Sequence, residues 1–133
     1  MLFCSIHADP NQAPPFYAGH ADEVGEGAGK GLNINMPLPF GTGDTAFLEH
    51  VDRAVRAAID FGAAAIVVSL GFDASEHDPH RTFRITHDGF AETARRIAGL
   101  RRPTLLVQEG GYLNPHLGAT LGGFLRAFDS VAG

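Results

Sequence analysis

A chain of 133 residues has room for one domain, or part of one, around a single hydrophobic core. Its composition, 44% hydrophobic and 19% charged, is that of a globular chain and excludes a disordered one. With 15 acidic against 10 basic residues and a net charge of −5, it carries no electrostatic footprint for nucleic acid or an anionic membrane surface. No apolar run approaches the roughly 20 residues of a membrane span. The single cysteine, Cys4, cannot form an intrachain disulfide, and Met1 leads into residues 2–6 without a basic segment. Both features predict a reducing, cytoplasmic location.

In chain order, residues 2–6 form a short apolar run that fits a strand or a helical turn. Residues 8–43 are dense in Gly and Pro and show no helical period; a connection of that length is functional or disordered. Within it, residues 32–36 alternate with period two and read as a short strand. From Asp44, taken as N-cap, the spacing of Phe47, Val51, Ala54, Val55 and Ala58 predicts an amphipathic helix. Residues 63–70 are almost unbroken apolar and predict a strand buried on both faces. A polar loop over 73–84 leads to a second helix, capped by Thr86 and ending at Gly99, with Phe90, Ala94, Ile97 and Ala98 facing inward. Residues 104–108 predict another strand. The last helix is expected from Asn114-Pro115, burying Leu117, Leu121, Phe124, Leu125 and Phe128.

This order predicts an α/β fold, a parallel sheet of three strands flanked by helices. Ligands of such sheets sit beyond the carboxyl ends of the strands. Those ends are Ser5-Ile6-His7, Ser69-Leu70-Gly71-Phe72-Asp73 and Gln108-Glu109-Gly110-Gly111-Tyr112. Asp73 can point a hard oxygen at a metal; on the residues alone it also reads as a helix cap or a loop salt bridge. Gly110 and Gly111 allow close backbone approach to a substrate, and the Tyr112 phenol can donate to a developing oxyanion or simply pack. His7 reads as a hydrogen-bonded structural histidine. His77 and His80, spaced H-x-x-H, imitate a metal site with Asp73, but all lie in an irregular loop and the reading is set aside. The stretch 25–31 resembles a phosphate loop superficially; Val24 and Gly31 stand where that motif needs Gly and Ser/Thr, so nucleotide binding is excluded. Asp22, Glu23 and Glu26 read as a solvated face or as an attraction for a cationic substrate.

Four ordered blocks carry a family resemblance: Ser5-Ile6-His7-Ala8-Asp9-Pro10; Gly19-His20-Ala21-Asp22-Glu23 through Asn33-Ile34-Asn35-Met36-Pro37; Leu70-Gly71-Phe72-Asp73 through Asp78-Pro79; and Glu109-Gly110-Gly111-Tyr112. Together they resemble the C-terminal portion of the histone deacetylase and acetylpolyamine amidohydrolase superfamily. Phe16-Tyr17 followed by Gly-His-Ala-Asp-Glu is similar to the bacterial acetylpolyamine amidohydrolase branch. The resemblance implies an arginase/deacetylase-like fold and zinc-dependent hydrolysis of an acetylated amine, an acetylpolyamine or acetyl-lysine. It implies Asp73 as a zinc ligand, Tyr112 as the catalytic transition-state stabiliser, and Phe16, Tyr17 and Gly110 as substrate-binding residues. Ser5 and Ile6 match positions that help hold a structural monovalent cation, potassium or sodium. Asp78 is expected to order its loop through backbone hydrogen bonds. Where many relatives carry an apolar residue and glycine after Asp-Pro, this chain has His80-Arg81.

A catalytic zinc takes three protein ligands. The family draws the other two from an Asp-x-His segment, and its general base and acid from a His-His pair; neither occurs in these 133 residues. Residues 1–133 are therefore expected to be a partial catalytic domain, a fragment inactive by itself, that joins its missing N-terminal part or self-associates. The alternative is a non-catalytic α/β remnant that folds with another chain.

Overall fold

The computed structural model describes residues 1–133, which form two compact units, Met1–Phe40 and Gly41–Gly133. In the first, β1 (Phe3–Ala8) pairs in parallel with β2 (Asn33–Leu38), Ile6 lying opposite Met36. The long connection between them carries one short 3-10 turn, Gly27–Gly29. It is organised by Glu23, whose carboxylate accepts the Gly19 amide at 2.8 Å and the Asn35 side-chain amide at 3.2 Å. Asn35, nearly buried on β2, also donates to the His20 carbonyl at 3.0 Å. Glu23 is exposed, as a solvated charge would be, and also serves as a structural acceptor.

The second unit runs α1 (Asp44–Phe61), β3 (Ile66–Leu70), α2 (His87–Ala98), β4 (Thr104–Gln108) and α3 (Leu117–Ala132). β3 and β4 are parallel, with Val67 opposite Leu105 and Ser69 opposite Val107. The strands therefore pair two by two, as β1–β2 and β3–β4, in place of the three-stranded sheet expected from the sequence. The weakly patterned β2 is a full ladder partner, and period-two alternation over so few residues could not assign it one.

Gly43, not Asp44, holds the N-cap of α1. Asp44 lies in the first turn, where its carboxylate accepts the Thr86 amide at 2.9 Å and the Thr86 hydroxyl at 2.5 Å. Two donors from one residue outcompete the helix's own amides for this acceptor. Thr86 caps α2 as the sequence predicts, accepting the Gly89 amide at 3.1 Å.

Helix α2 packs against both α1 and α3. The centre of this core is Phe72, fully buried, with its ring centroid 5.1 Å from Phe90 and 6.1 Å from Phe124. Removing such a side chain typically costs about 3–5 kcal/mol. Phe72 immediately precedes Asp73, so the packed ring fixes the backbone from which that carboxylate projects. Helix α3 begins later than expected, with His116 at its N-cap, and buries Thr120, Phe124 and Ala127 while Leu125 is exposed.

The expectation that β3 is buried on both faces fails. Val67 is 69% exposed, its partner Leu105 is 59% exposed, and Val107 is exposed beside them. Side chains alternate across a strand, so these three share one face, and no element of this unit covers it.

Candidate active site

The β3–β4 ladder continues past the strand ends and draws two chain segments together. Glu109 N donates to the Leu70 carbonyl at 3.1 Å, and Phe72 N to the Gly110 carbonyl at 2.9 Å. These bonds set Gly71 and Gly110 against the Asp73 side chain. A Cβ on Gly110 would lie 2.6 Å from Asp73 Oδ1 and 2.8 Å from Oδ2, and one on Gly71 would lie 2.6 Å from Oδ1. Only glycine leaves this half-buried carboxylate its space. No donor of the chain bonds to it. A hard oxygen seated in a glycine cradle at a strand's carboxyl end fits one ligand position of a zinc site.

Gly111 has φ +122°, and a Cβ there would meet the Phe72 side chain at 2.9 Å. The chain passes through this glycine into Tyr112, which is 49% exposed and whose ring packs edge-on against His80 at 4.3 Å. Asp78, by contrast, is 1% exposed and fully used. Its Oδ1 lies 2.9 Å from the His80 amide and 3.0 Å from His80 Nδ1, and its Oδ2 accepts the Tyr112 amide at 3.1 Å. The loop-ordering role expected for Asp78 holds, and it extends to the segment that carries Tyr112.

The second unit thus brings together Asp73, Gly110 and the Asp78–Tyr112 tie. Ser5, Ile6, His7, Phe16 and Tyr17 belong to the first unit. Ser5 Oγ lies 2.7 Å from His7 Nδ1, and His7 Nε2 lies 2.8 Å from the Gly19 carbonyl. Since that carbonyl can only accept, Nε2 carries a proton, and in the neutral ring Nδ1 accepts from the Ser5 hydroxyl. His7 is the structural histidine the sequence predicts. Ile6 sits within the β1–β2 ladder. Phe16, with φ 62°, and Tyr17 are both strongly exposed.

Sequence spacing paired His77 with His80; the structure pairs it otherwise. His80 is bound to Asp78, whereas His77 lies with His87 and His116, which come from the starts of α2 and α3. No spacing in the sequence marks that grouping.

The strand ends of this α/β chain present a cradled carboxylate, Asp73, and a tyrosine, Tyr112, that follows two glycines. Residues 1–128 match the Histone deacetylase domain, and the chain belongs to that family. Over 133 residues it is 43% identical to an acetylpolyamine amidohydrolase of Burkholderia pseudomallei, covering all of this chain and 39% of that protein. Over 132 residues it is 38% identical to acetylpolyamine amidohydrolase 1 of Pseudomonas aeruginosa, covering 99% of this chain and 38% of that one. It superimposes on the crystal structure of the Burkholderia pseudomallei acetylpolyamine aminohydrolase with a TM-score of 0.95, over 99% of this chain and 39% of that one. An HDAC homolog from Aquifex aeolicus, 25% identical, superimposes with a TM-score of 0.88 over 96% of this chain and 35% of that one. The fold is arginase/deacetylase-like, and the chain spans well under half the length of these relatives.

Proposed function

We propose that this chain supplies part of the active site of a zinc-dependent amidohydrolase that removes acetyl groups from acetylated amines, acetylpolyamines or acetyl-lysine. The observation that carries this reading is the seat of Asp73: a carboxylate without a donor, held between Gly71 and Gly110 where the β3 and β4 ends converge. Asp73 would hold the zinc. Bound zinc polarises the acetyl carbonyl and makes water nucleophilic near neutral pH.

Tyr112 donates its phenol O–H to the carbonyl oxygen as negative charge develops there, a contribution realised in the transition state. Asp78 holds the Tyr112 backbone in place. Gly110, which has no side chain, lets the acetamide approach the main chain. Because the Ser5 proton goes to His7, the Ser5 oxygen keeps lone pairs for a structural potassium or sodium ion, with Ile6 contributing its carbonyl.

Two further zinc ligands and the His-His pair come from polypeptide outside these 133 residues. The chain alone is then inactive and prone to self-association. The open face of Val67, Leu105 and Val107 supports this, since exposed apolar strands favour pairing and aggregation. The same face favours the companion reading, in which the chain works folded against a further segment of its own or another polypeptide.

The test is a chimaera that joins the preceding part of the Burkholderia pseudomallei amidohydrolase to these 133 residues. It should release acetate from an acetylpolyamine or acetyl-lysine substrate and lose that activity to a chelator. A soluble, zinc-loaded chimaera with no turnover on either substrate would overturn the reading.

A further inference from the structure

The second unit contains a grouping of metal-binding side chains distinct from Asp73. His77 in the β3–α2 loop, His87 at the start of α2 and His116 at the N-cap of α3 have ring nitrogens all within 4.8 Å of one another. The His77 and His116 rings stack at 3.8 Å, and His87 stands 5.8 and 5.9 Å from them, centroid to centroid. We propose that His77, His87 and His116 form a surface site for a divalent transition metal of the zinc type, with a fourth position open to water.

Four observations carry it. First, three imidazoles suit late first-row divalent ions, and tetrahedral zinc bonds of 2.0–2.1 Å require nitrogens roughly 3.3 Å apart. The ligand nitrogens lie within 4.8 Å of one another, so binding requires the His116 ring, which is exposed, to turn out of its stack on His77 and close that spacing. Second, His87 is already set in a ligand tautomer. The buried Thr120 hydroxyl donates its one proton to the His116 carbonyl at 3.0 Å, so toward His87 Nδ1, 3.1 Å away, it can only accept. His87 therefore carries its proton on Nδ1 and its lone pair on Nε2, the outer-sphere arrangement that metal-binding histidines use.

Third, the Glu76 carboxylate lies 3.7 Å from His77 Nε2 and adds a negative charge beside the site. Fourth, His77 is 34% exposed and His116 more so, leaving a path for the ion. The three histidines come from three different elements, so a metal here would staple the loop bearing Asp73 and Asp78 to the starts of α2 and α3.

The experiment uses the tag-free 133-residue chain in an Asp73→Asn background, which removes the carboxylate of the proposed deacetylase centre and keeps the two sites separable. The chain is stripped with chelator, loaded with zinc and gel-filtered, and zinc is counted per chain whatever the oligomeric state. Cobalt substitution reads the coordination by its visible absorption. The expected result is one zinc per chain and a four-coordinate cobalt spectrum. His116→Ala and His77→Ala should each weaken zinc binding at least about tenfold, while His50→Ala on α1 leaves it unchanged. His116 makes no side-chain capping bond, so its removal spares the fold, and circular dichroism checks this. Zinc binding that survives both substitutions, or a folded chain that retains no zinc, would overturn the site.

Discussion

The buried carboxylate of Asp78 accepts the backbone amide of Tyr112 at 3.1 Å, across 34 residues of sequence. This bond joins the loop after β3 to the segment after β4. The two segments carry, respectively, the acidic and the phenolic groups of the candidate site.

Replacing Asp78 by alanine leaves the Tyr112 and His80 amides without their acceptor. A hydrogen bond to a charged group contributes about 1.5–3 kcal/mol. Urea denaturation of the chimaera should show a loss of that size, and Asp78→Asn, which keeps one carbonyl oxygen, should recover part of it. An Asp78→Ala protein as stable as the parent would show that the two segments are held by something else.

Gly110→Ala places a methyl group less than 3 Å from three atoms of the Asp73 carboxylate. The carboxylate must move, and the variant should lose zinc and turnover together. Metal analysis decides the matter, because unchanged zinc content with lowered turnover would move the role of Gly110 from seating Asp73 to admitting substrate.

Much of the local structure was legible in the sequence, and the limits of that reading have physical causes. Residues 104–108 form β4 as predicted, and Thr86 caps α2, because both signals are local. Asp44 was misplaced by one position because Thr86, 42 residues away, supplies it with better donors than its own helix. The apolar run of β3 gave no sign that Val67 would lie open, since burial depends on which elements cover a face. Asp73, Gly110 and Tyr112, singled out by their motifs, all lie just past the ends of β3 and β4. His87 and His116 were missed because neither shares a spacing with His77; only the fold makes them neighbours.

Tyr112→Phe removes one hydroxyl from a side chain that is half exposed. Stability and zinc content should stay as they are, while kcat falls by about 10²–10³, the usual cost of one oxyanion donor. Full kcat in this variant would leave Tyr112 a packing residue against His80.

The central claim is that Asp73 is a metal ligand, and zinc content in the chimaera tests it most directly. Both proteins carry His77→Ala and His116→Ala, so that zinc at the three-histidine grouping does not contribute. With Asp73 intact, the chimaera should hold one zinc per chain after gel filtration. Asp73→Ala removes one of the three protein ligands such a centre requires, and zinc should fall to a small fraction of one per chain while the fold, followed by circular dichroism, persists. One zinc per chain retained by the Asp73→Ala protein would contradict the account.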